Sequence, residues 1–266
     1  MTEPIESGRV ILRPMTDDEL IGMMEKSFGG GPSWSFAPFG MERVILQVTE
    51  ERSKLDRSSF SGAISQVVLA LQLIGFELSG RGPIVQSDLP VRVSIRQAVV
   101  PFKVGPLGST CRCTAPDLDA ALRLVAKMPA LGELPQRSSD VALNRFRQGC
   151  ADESAADALV DFVIALEAVL LPPESADVRR DGELRFRLSL NGARLLGSET
   201  QQRRQIWKDL RRVYDERSSI VHGGILDQQV ISELFPVARR LAADVLRHGL
   251  TNGWPTSSDF VAKALE

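Results

Sequence analysis

The clearest helical signal in the chain is residues 199–222, ETQQRRQIWKDLRRVYDERSSIVH. At about 100° per residue, its apolar side chains fall on one stripe, and most of its charged side chains fall on the other side. The stripe comprises Ile206, Leu210, Val213, Ile220 and Val221. Because Gly223 and Gly224 follow directly, we expect a long amphipathic helix that ends at these two glycines.

Arg217 lies in the middle of this apolar stripe, where an arginine is costly unless its charge is paired or used. A candidate partner is Glu167, which lies in a second apolar stripe with Val160, Ile164 and Leu171. Two interpretations are open. Either the two side chains form a structural ion pair, bidentate and desolvated in a helical core, or Arg217 opens into a cleft or a dimer seam and binds an anion.

Working outward, residues 136–266 are predicted to be almost wholly helical. Besides residues 199–222, the predicted helices are Ser139–Gly149, Glu153–Leu171, Glu183–Leu196, Gln228–His248 and a short one after Pro255. Pro129, Gly132 and Pro135 cluster just before this half, which is typical of a domain boundary. We therefore expect two regions, residues 1–135 and residues 136–266.

The N-terminal region, residues 1–135, has mixed patterns. Residues 9–13, 43–49 and 91–104 are rich in β-branched or alternating residues, which favours strands. Ser61–Ile74 and Asp117–Lys127 have helical periodicity. The predicted fold class is therefore α+β overall, with a mixed α/β N-terminal region of unassigned role followed by an all-α helical bundle.

Composition excludes several classes of protein. The chain of 266 residues has 32 Lys and Arg against 34 Asp and Glu, so nucleic-acid binding would have to depend on a local basic patch. Three cysteines and two histidines are too few for a disulfide scaffold and a poor set for zinc. No apolar run approaches the length of a membrane span, and the N-terminus lacks a targeting pattern. We expect a cytoplasmic protein with no metal, no cofactor and no membrane contact.

Arg217 and His222 form an R-x4-H pattern at the end of the long helix. Five residues of a straight helix place two side chains about 140° apart. The two can converge only if the helix ends or kinks between them, or if two copies of the chain meet. His222 is expected at the helix C-terminus, where the helix dipole favours a cation.

At this point the chain resembles the HEPN superfamily, specifically its Apea-like branch. Residues 214–223, YDERSSIVHG, look like the family signature. Residues 142–147, 161–170 and 183–188 resemble the first three helices of the family, and the likeness extends over about residues 136–250. In one departure, ribonuclease members often have Asn, Asp or His directly after the arginine, where this chain has Ser218.

The resemblance implies an all-α bundle that often dimerises and acts in antiviral defence or in toxin-like stress responses. Arg217 and His222 correspond to the catalytic pair of metal-independent endoribonucleases, which leave 2′,3′-cyclic phosphate ends. Glu167, Ser218 and Tyr214 are the expected supporting residues. Because some HEPN domains are not nucleases, the alternative is a non-catalytic interaction or sensor module that binds RNA, a nucleotide or a protein.

Basic side chains cluster on the polar face of the long helix. They are Arg203, Arg204, Lys208, Arg211 and Arg212. One interpretation is that they follow the phosphates of bound RNA near the motif. The other is a solvated helix face whose charge is offset by neighbouring carboxylates.

Overall fold

A computed structural model describes the backbone of residues 5–7, 10–14, 43–49, 57–76, 84–88, 94–101, 114–128, 138–152, 154–172, 181–224 and 227–262. Side chains are described from residue 65 onward, within those ranges and except for residues 84–88, 94–101, 115, 181 and 182. The chain divides into two compact units. The first comprises Met1–Val125 and Ala130–Gly132, and the second comprises Ala126–Pro129 and Glu133–Glu266.

The first unit contains five strands, described by their backbone. These are β1 (Ile5–Ser7), β2 (Val10–Pro14), β3 (Arg43–Thr49), β4 (Ile84–Asp88) and β5 (Ser94–Pro101). They pair antiparallel in the order β1-β2-β3-β5-β4, and Leu46 of β3 is opposite Ala98 of β5. Cys111 and Cys113 lie outside the described residues.

Two helices of the first unit, α1 (Arg57–Leu73) and α2 (Ala115–Val125), contact each other. Leu69 of α1 and Leu118 of α2 are fully buried. Thr114 begins α2 in a capping box: its hydroxyl accepts the Asp117 N–H, and the Asp117 carboxylate accepts the Thr114 N–H at 2.9 Å.

The predicted α+β class is wrong for the part of the protein whose side chains are described. Of these residues, 84% are helical and none lies in a strand, so this part is all-α. The α+β prediction depended on β-branched runs such as residues 43–49, which satisfy strand propensity. The hydrophobic core among the described side chains is instead built by helices that bury one apolar face against each other.

Six helices form the described part of the second unit. They are α3 (Ser138–Ala151), α4 (Ala155–Leu170), α5 (Asp181–Leu196), α6 (Thr200–Val221), α7 (Gln228–Asn252) and α8 (Ser257–Ala262). Helix α4 is central, since it contacts α3, α5, α6 and α7. The side chain of Ser154 caps its N-terminus by accepting the Asp157 N–H.

Three phenylalanine rings join α3, α4 and α7 in the middle of this unit. The ring centroid of Phe162 lies 5.5 Å from that of Phe146 and 5.7 Å from that of Phe235. Phe146 and Phe162 are fully buried. Tilted rings at these separations gain more than their buried area alone provides, so this cluster anchors the three helices.

Helices α5 and α6 form a hairpin whose members approach closely. Gly192 of α5 lies against Leu210 of α6, and a Cβ at residue 192 would collide with the leucine side chain. The Asn191 side-chain amide donates to the Leu170 carbonyl at 2.8 Å, which ties α5 to the C-terminal end of α4. The hairpin therefore has a fixed position relative to α4.

Helix α7 continues past the end predicted at His248. The helix passes through Gly249 and runs to Asn252. The Trp254 ring lies so close to Gly249 that a Cβ there would overlap it, so this glycine serves close packing within the helix. Among the described helices, none is both long and apolar enough to cross a membrane.

Candidate functional site at the end of α6

The core-facing side of α6 leads directly to Arg217. Ile206, Leu210 and Val213 are buried, as the sequence periodicity predicts. Val221 was expected in the same stripe, but 50% of it is exposed. The last turn of α6 is thus less covered by its neighbours than the middle of the helix.

Arg217 and Glu167 meet between α6 and α4. Arg217 Nη2 lies 3.8 Å from Glu167 Oε2, and both side chains are 24% exposed. At this distance the two side chains form an ion pair, but their separation is too long for a hydrogen bond. The bidentate geometry considered from the sequence is therefore absent.

The Arg217 guanidinium has unused donor capacity. Its Nε is buried and has no hydrogen-bond partner among the described residues. A guanidinium carries five N–H donors in a fixed planar fork, and its single contact with Glu167 at 3.8 Å satisfies none of them with a hydrogen bond. An anion that approached this fork would find donors already partly stripped of water.

Burial dominates the electrostatics of Glu167. Desolvation raises the pKa of this carboxyl above its ordinary value, and the positive charge of Arg217 opposes that rise. The attraction does not cancel the burial cost. Glu167 consequently holds Arg217 only weakly, because the pair lacks the short hydrogen bonds that would offset its desolvation.

His222 is the C-cap of α6 and is exposed. Gly223 follows with φ of +71°, and the Gly224 and Gly223 N–H groups donate to the carbonyls of Ser219 and Ile220. This is a Schellman arrangement, which satisfies the last carbonyls of the helix and fixes its end. The His222 side chain leaves the helix at its final turn.

Within one chain, Arg217 and His222 do not come together, because α6 has no kink between them. Helix α6 runs unbroken from Thr200 to Val221, so the two residues remain about 140° apart around its axis. Arg217 is on the core side and His222 is exposed at the end.

The predicted supporting residues lie on the same turns. Ser218 is half-buried, and its carbonyl accepts the His222 N–H at 3.0 Å. Tyr214 is also half-buried and lies one turn before Arg217, on the flank of the core side. Ser218 thus contributes its backbone to the end of the helix.

The five predicted basic residues have different environments. Arg203 donates from Nε to the Gly197 carbonyl at 2.9 Å, which ties it to the end of α5. Arg212 lies 3.9 Å from Glu233 of α7, with both side chains exposed. Arg204 and Lys208 are exposed, and Arg211 is half-buried over the ring of Trp207.

Three apolar side chains on the α5–α6 hairpin were not predicted as exposed or functional. Trp207 stands on the basic side of α6, four residues before Arg211. Phe186 of α5 is 51% exposed, and Val221 is exposed at the end of α6. An i, i+4 pairing of tryptophan and arginine is visible in the sequence and is the one signal that could have identified the first of them.

Among the described residues, no group of three or more His, Cys, Asp or Glu side chains is arranged to hold a metal ion. The chemistry that the described residues offer at this end of α6 is a guanidinium with free donors and an exposed imidazole. A guanidinium binds phosphate oxygens, and an imidazole transfers protons near neutral pH.

Comparisons of the chain with protein-family models, with characterised proteins and with solved structures find no match. The likeness to HEPN domains consequently depends on the residues of the α6 motif and the helices before it. It remains a hypothesis about this chain, to be tested through Arg217 and His222.

Proposed function

We propose that the protein is a metal-independent endoribonuclease of HEPN type that acts in the cytoplasm as a homodimer. The observation that supports it best is the half-buried Arg217, whose Nε has no partner among the described residues and whose contact with Glu167 is not a hydrogen bond. A guanidinium held in this way can bind an incoming phosphate without first giving up strong bonds. A role in antiviral defence or a toxin-like stress response belongs to the same proposal.

In the proposed reaction the 2′-hydroxyl of one nucleotide attacks the adjacent phosphorus. The new O2′–P bond forms as the P–O5′ bond breaks, which gives a 2′,3′-cyclic phosphate and a free 5′-hydroxyl. His222 handles the protons that leave the 2′-hydroxyl and reach the leaving oxygen. Arg217 stabilises the negative charge on the non-bridging oxygens.

The angle between the two residues explains why a homodimer is part of the proposal. On one unbroken helix Arg217 and His222 point about 140° apart. Two copies related by a two-fold axis can place Arg217 of one chain beside His222 of the other. The exposed Phe186 and Val221 provide apolar area near this end of the α5–α6 hairpin.

A second candidate function is a non-catalytic interaction or sensor module. It is favoured by the fact that Arg217 already has a carboxylate neighbour in its own chain, whereas His222 stands apart from it. In that case Arg217 and Glu167 form a structural ion pair, and the exposed apolar residues contact a partner protein.

Cleavage of total cellular RNA in EDTA separates the two functions. We expect the wild-type protein to cut RNA to cyclic-phosphate ends and both Arg217→Ala and His222→Ala to lose at least about 100-fold in rate, through loss of a charge-stabilising donor and of a proton-transfer group respectively. Matched controls are Arg147→Ala, an exposed arginine of α3, and His248→Ala, the other histidine. They should cut at the wild-type rate.

The oligomeric state is measured for every variant by light scattering, because a variant that fails to dimerise would also lose activity. Mixing Arg217→Ala with His222→Ala chains tests assembly of the site across two copies, since one intact site is restored in a mixed dimer. Absence of cutting by a folded wild-type dimer would leave the interaction module as the better proposal.

A further inference from the structure

Trp207 and Arg211 form a stack on the side of α6 away from the core. The Arg211 guanidinium carbon lies 4.5 Å from the centroid of the Trp207 ring. This is well inside the range of an attractive cation–π contact. Both residues are half-buried, and their contact restricts the rotamers that the Arg211 side chain can adopt.

Helix α6 as a whole has an excess of positive charge. Helix α6 has six cationic side chains and three carboxylates. Two of the carboxylates turn to other helices: Asp209 lies 3.6 Å from Arg240 of α7, and Asp215 lies 2.7 Å from Arg185 of α5.

No ion pair between described residues involves Arg204, Lys208 or Arg211. At about 100° per residue, these three side chains fall within a sector of about 60° around α6, with Trp207 at its edge. Their charges are therefore available to a ligand that runs along the helix.

This side of α6 also leads to His222. Eleven residues separate Arg211 from His222, which is about 16 Å along the helix and only about 20° around it. Arg217, in contrast, is about 120° from Arg211 around the axis. A strand bound along the basic side therefore passes the proton-transfer residue of the proposed enzyme.

We propose that this side of α6 binds single-stranded RNA, with its phosphates along Arg204 and Lys208 and one unpaired base stacked on the Arg211 guanidinium that Trp207 holds in place. The inference rests on the proposed ribonuclease function and names its substrate class. A base stacks on a guanidinium plane only when its own face is free, as in single strands and loops. An acidic protein would pair its carboxylates with the N–H edges of these side chains and would not need the exposed face of the guanidinium.

Binding is measured with a labelled, unstructured 2′-O-methyl RNA of about fifteen nucleotides by fluorescence anisotropy at fixed ionic strength. This probe lacks the 2′-hydroxyl nucleophile, so binding is observed without cleavage. The decisive variant is Arg211→Lys, which keeps the charge and removes the plane. We expect it to weaken binding about 5- to 100-fold, close to the effect of Arg211→Ala.

Two further variants sharpen the test. Arg147→Lys, at an exposed arginine of α3 outside the proposed binding side, is the matched control and should keep the wild-type affinity within about twofold. Trp207→Ala should resemble Arg211→Lys, since the guanidinium loses its support. Far-UV circular dichroism and the thermal midpoint confirm that each variant is folded.

Several outcomes would overturn the inference. Wild-type affinity in Arg211→Lys would mean that charge alone binds the RNA. Equal affinity for a duplex of the same sequence, or equal competition by polyaspartate, would assign this side to duplexes or to acidic proteins. Absence of RNA binding by the folded wild-type protein would refute the inference.

The inference and the proposed function can fail separately. If the probe binds with the expected variant pattern but cellular RNA is not cut, the ribonuclease proposal fails and single-strand binding stands. If His222→Ala abolishes cutting while Arg211→Lys changes neither binding nor cutting, the ribonuclease proposal stands and this inference fails.

Discussion

Helix α4 has two carboxylates that each face an arginine of a neighbouring helix, and the two pairs differ. Asp161 accepts a hydrogen bond from Arg145 of α3 at 2.9 Å. Glu167 lies 3.8 Å from Arg217 of α6, with no hydrogen bond between them. In the first pair the arginine side chain is 44% exposed, whereas in the second both partners are equally half-buried.

The difference separates a structural pair from a candidate site. Arg145 keeps much of its hydration and still satisfies Asp161, so little of that pair is available for other use. Arg217 has lost much of its water without gaining a hydrogen bond to Glu167 in return, and its Nε has no partner among the described residues. Desolvated donors without partners are costly to a fold and useful to a ligand.

The largest effect should come from the well-packed part of α4, next to Asp161. Phe162→Ala removes the ring that contacts both Phe146 and Phe235, and we expect it to lower the free energy of unfolding by about 3–5 kcal/mol. Val221→Ala, at the exposed end of α6, should change it by less than about 0.5 kcal/mol. Urea unfolding measures both. Similar losses in the two variants would show that the end of α6 is packed as tightly as the core.

The two arginines should differ next. Arg145→Ala leaves Asp161 without its hydrogen bond, which should cost about 1–3 kcal/mol of unfolding free energy. Arg217→Ala removes a contact at 3.8 Å together with an unsatisfied donor, and it should cost less than about 1 kcal/mol. Arg147→Ala controls for loss of an exposed arginine. If Arg217→Ala proved the more damaging substitution, the contrast between the pairs would be refuted and Arg217 would be a structural ion.

The smallest effect is a pH dependence. Burial raises the pKa of both Asp161 and Glu167, so the folded protein favours their neutral forms. The contribution of such a group to the free energy of unfolding is therefore lost as the pH rises from its pKa in the unfolded chain through its pKa in the folded protein. For Glu167 this loss begins near the ordinary value of 4.5.

Glu167→Gln removes the ionisable group and should therefore remove its contribution to the dependence of stability on pH. Urea midpoints measured between about pH 4 and pH 8 should show the variant gaining on the wild type as pH rises. Asp161→Asn serves as the comparison, because there the Arg145 hydrogen bond opposes the effect of burial. Parallel curves for the wild type and Glu167→Gln would contradict the raised pKa of Glu167.

The periodicity of α6 predicted much of what surrounds Arg217. The buried stripe through Val213 and the meeting of Arg217 with Glu167 both follow from placing apolar residues at helical spacing. The separation of the two groups did not follow, because it depends on how α4 and α6 approach each other. Periodicity gives a direction around a helix but no distance between helices.

Other features depended on contacts that a single sequence does not contain. Gly249 has the pattern of a helix stop, yet it makes room for Trp254. Asp161 is buried because α3 covers it, and nothing in its own segment indicates that. The β-rich runs at residues 10–14 and 43–49 do form strands, but the predicted α+β class fails for the residues whose side chains are described, where helices alone build the core.

The close approach of Gly192 to Leu210 has a consequence for the end of α6. The Leu210 side chain occupies the space that a Cβ at residue 192 would need, so this contact favours one alignment of α6 along α5. A slip of one helical turn would move every residue of α6 by about 5.4 Å. That exceeds the 3.8 Å between Arg217 and Glu167. The alignment of the guanidinium therefore depends in part on a close contact two turns away, made by a glycine that has no side chain.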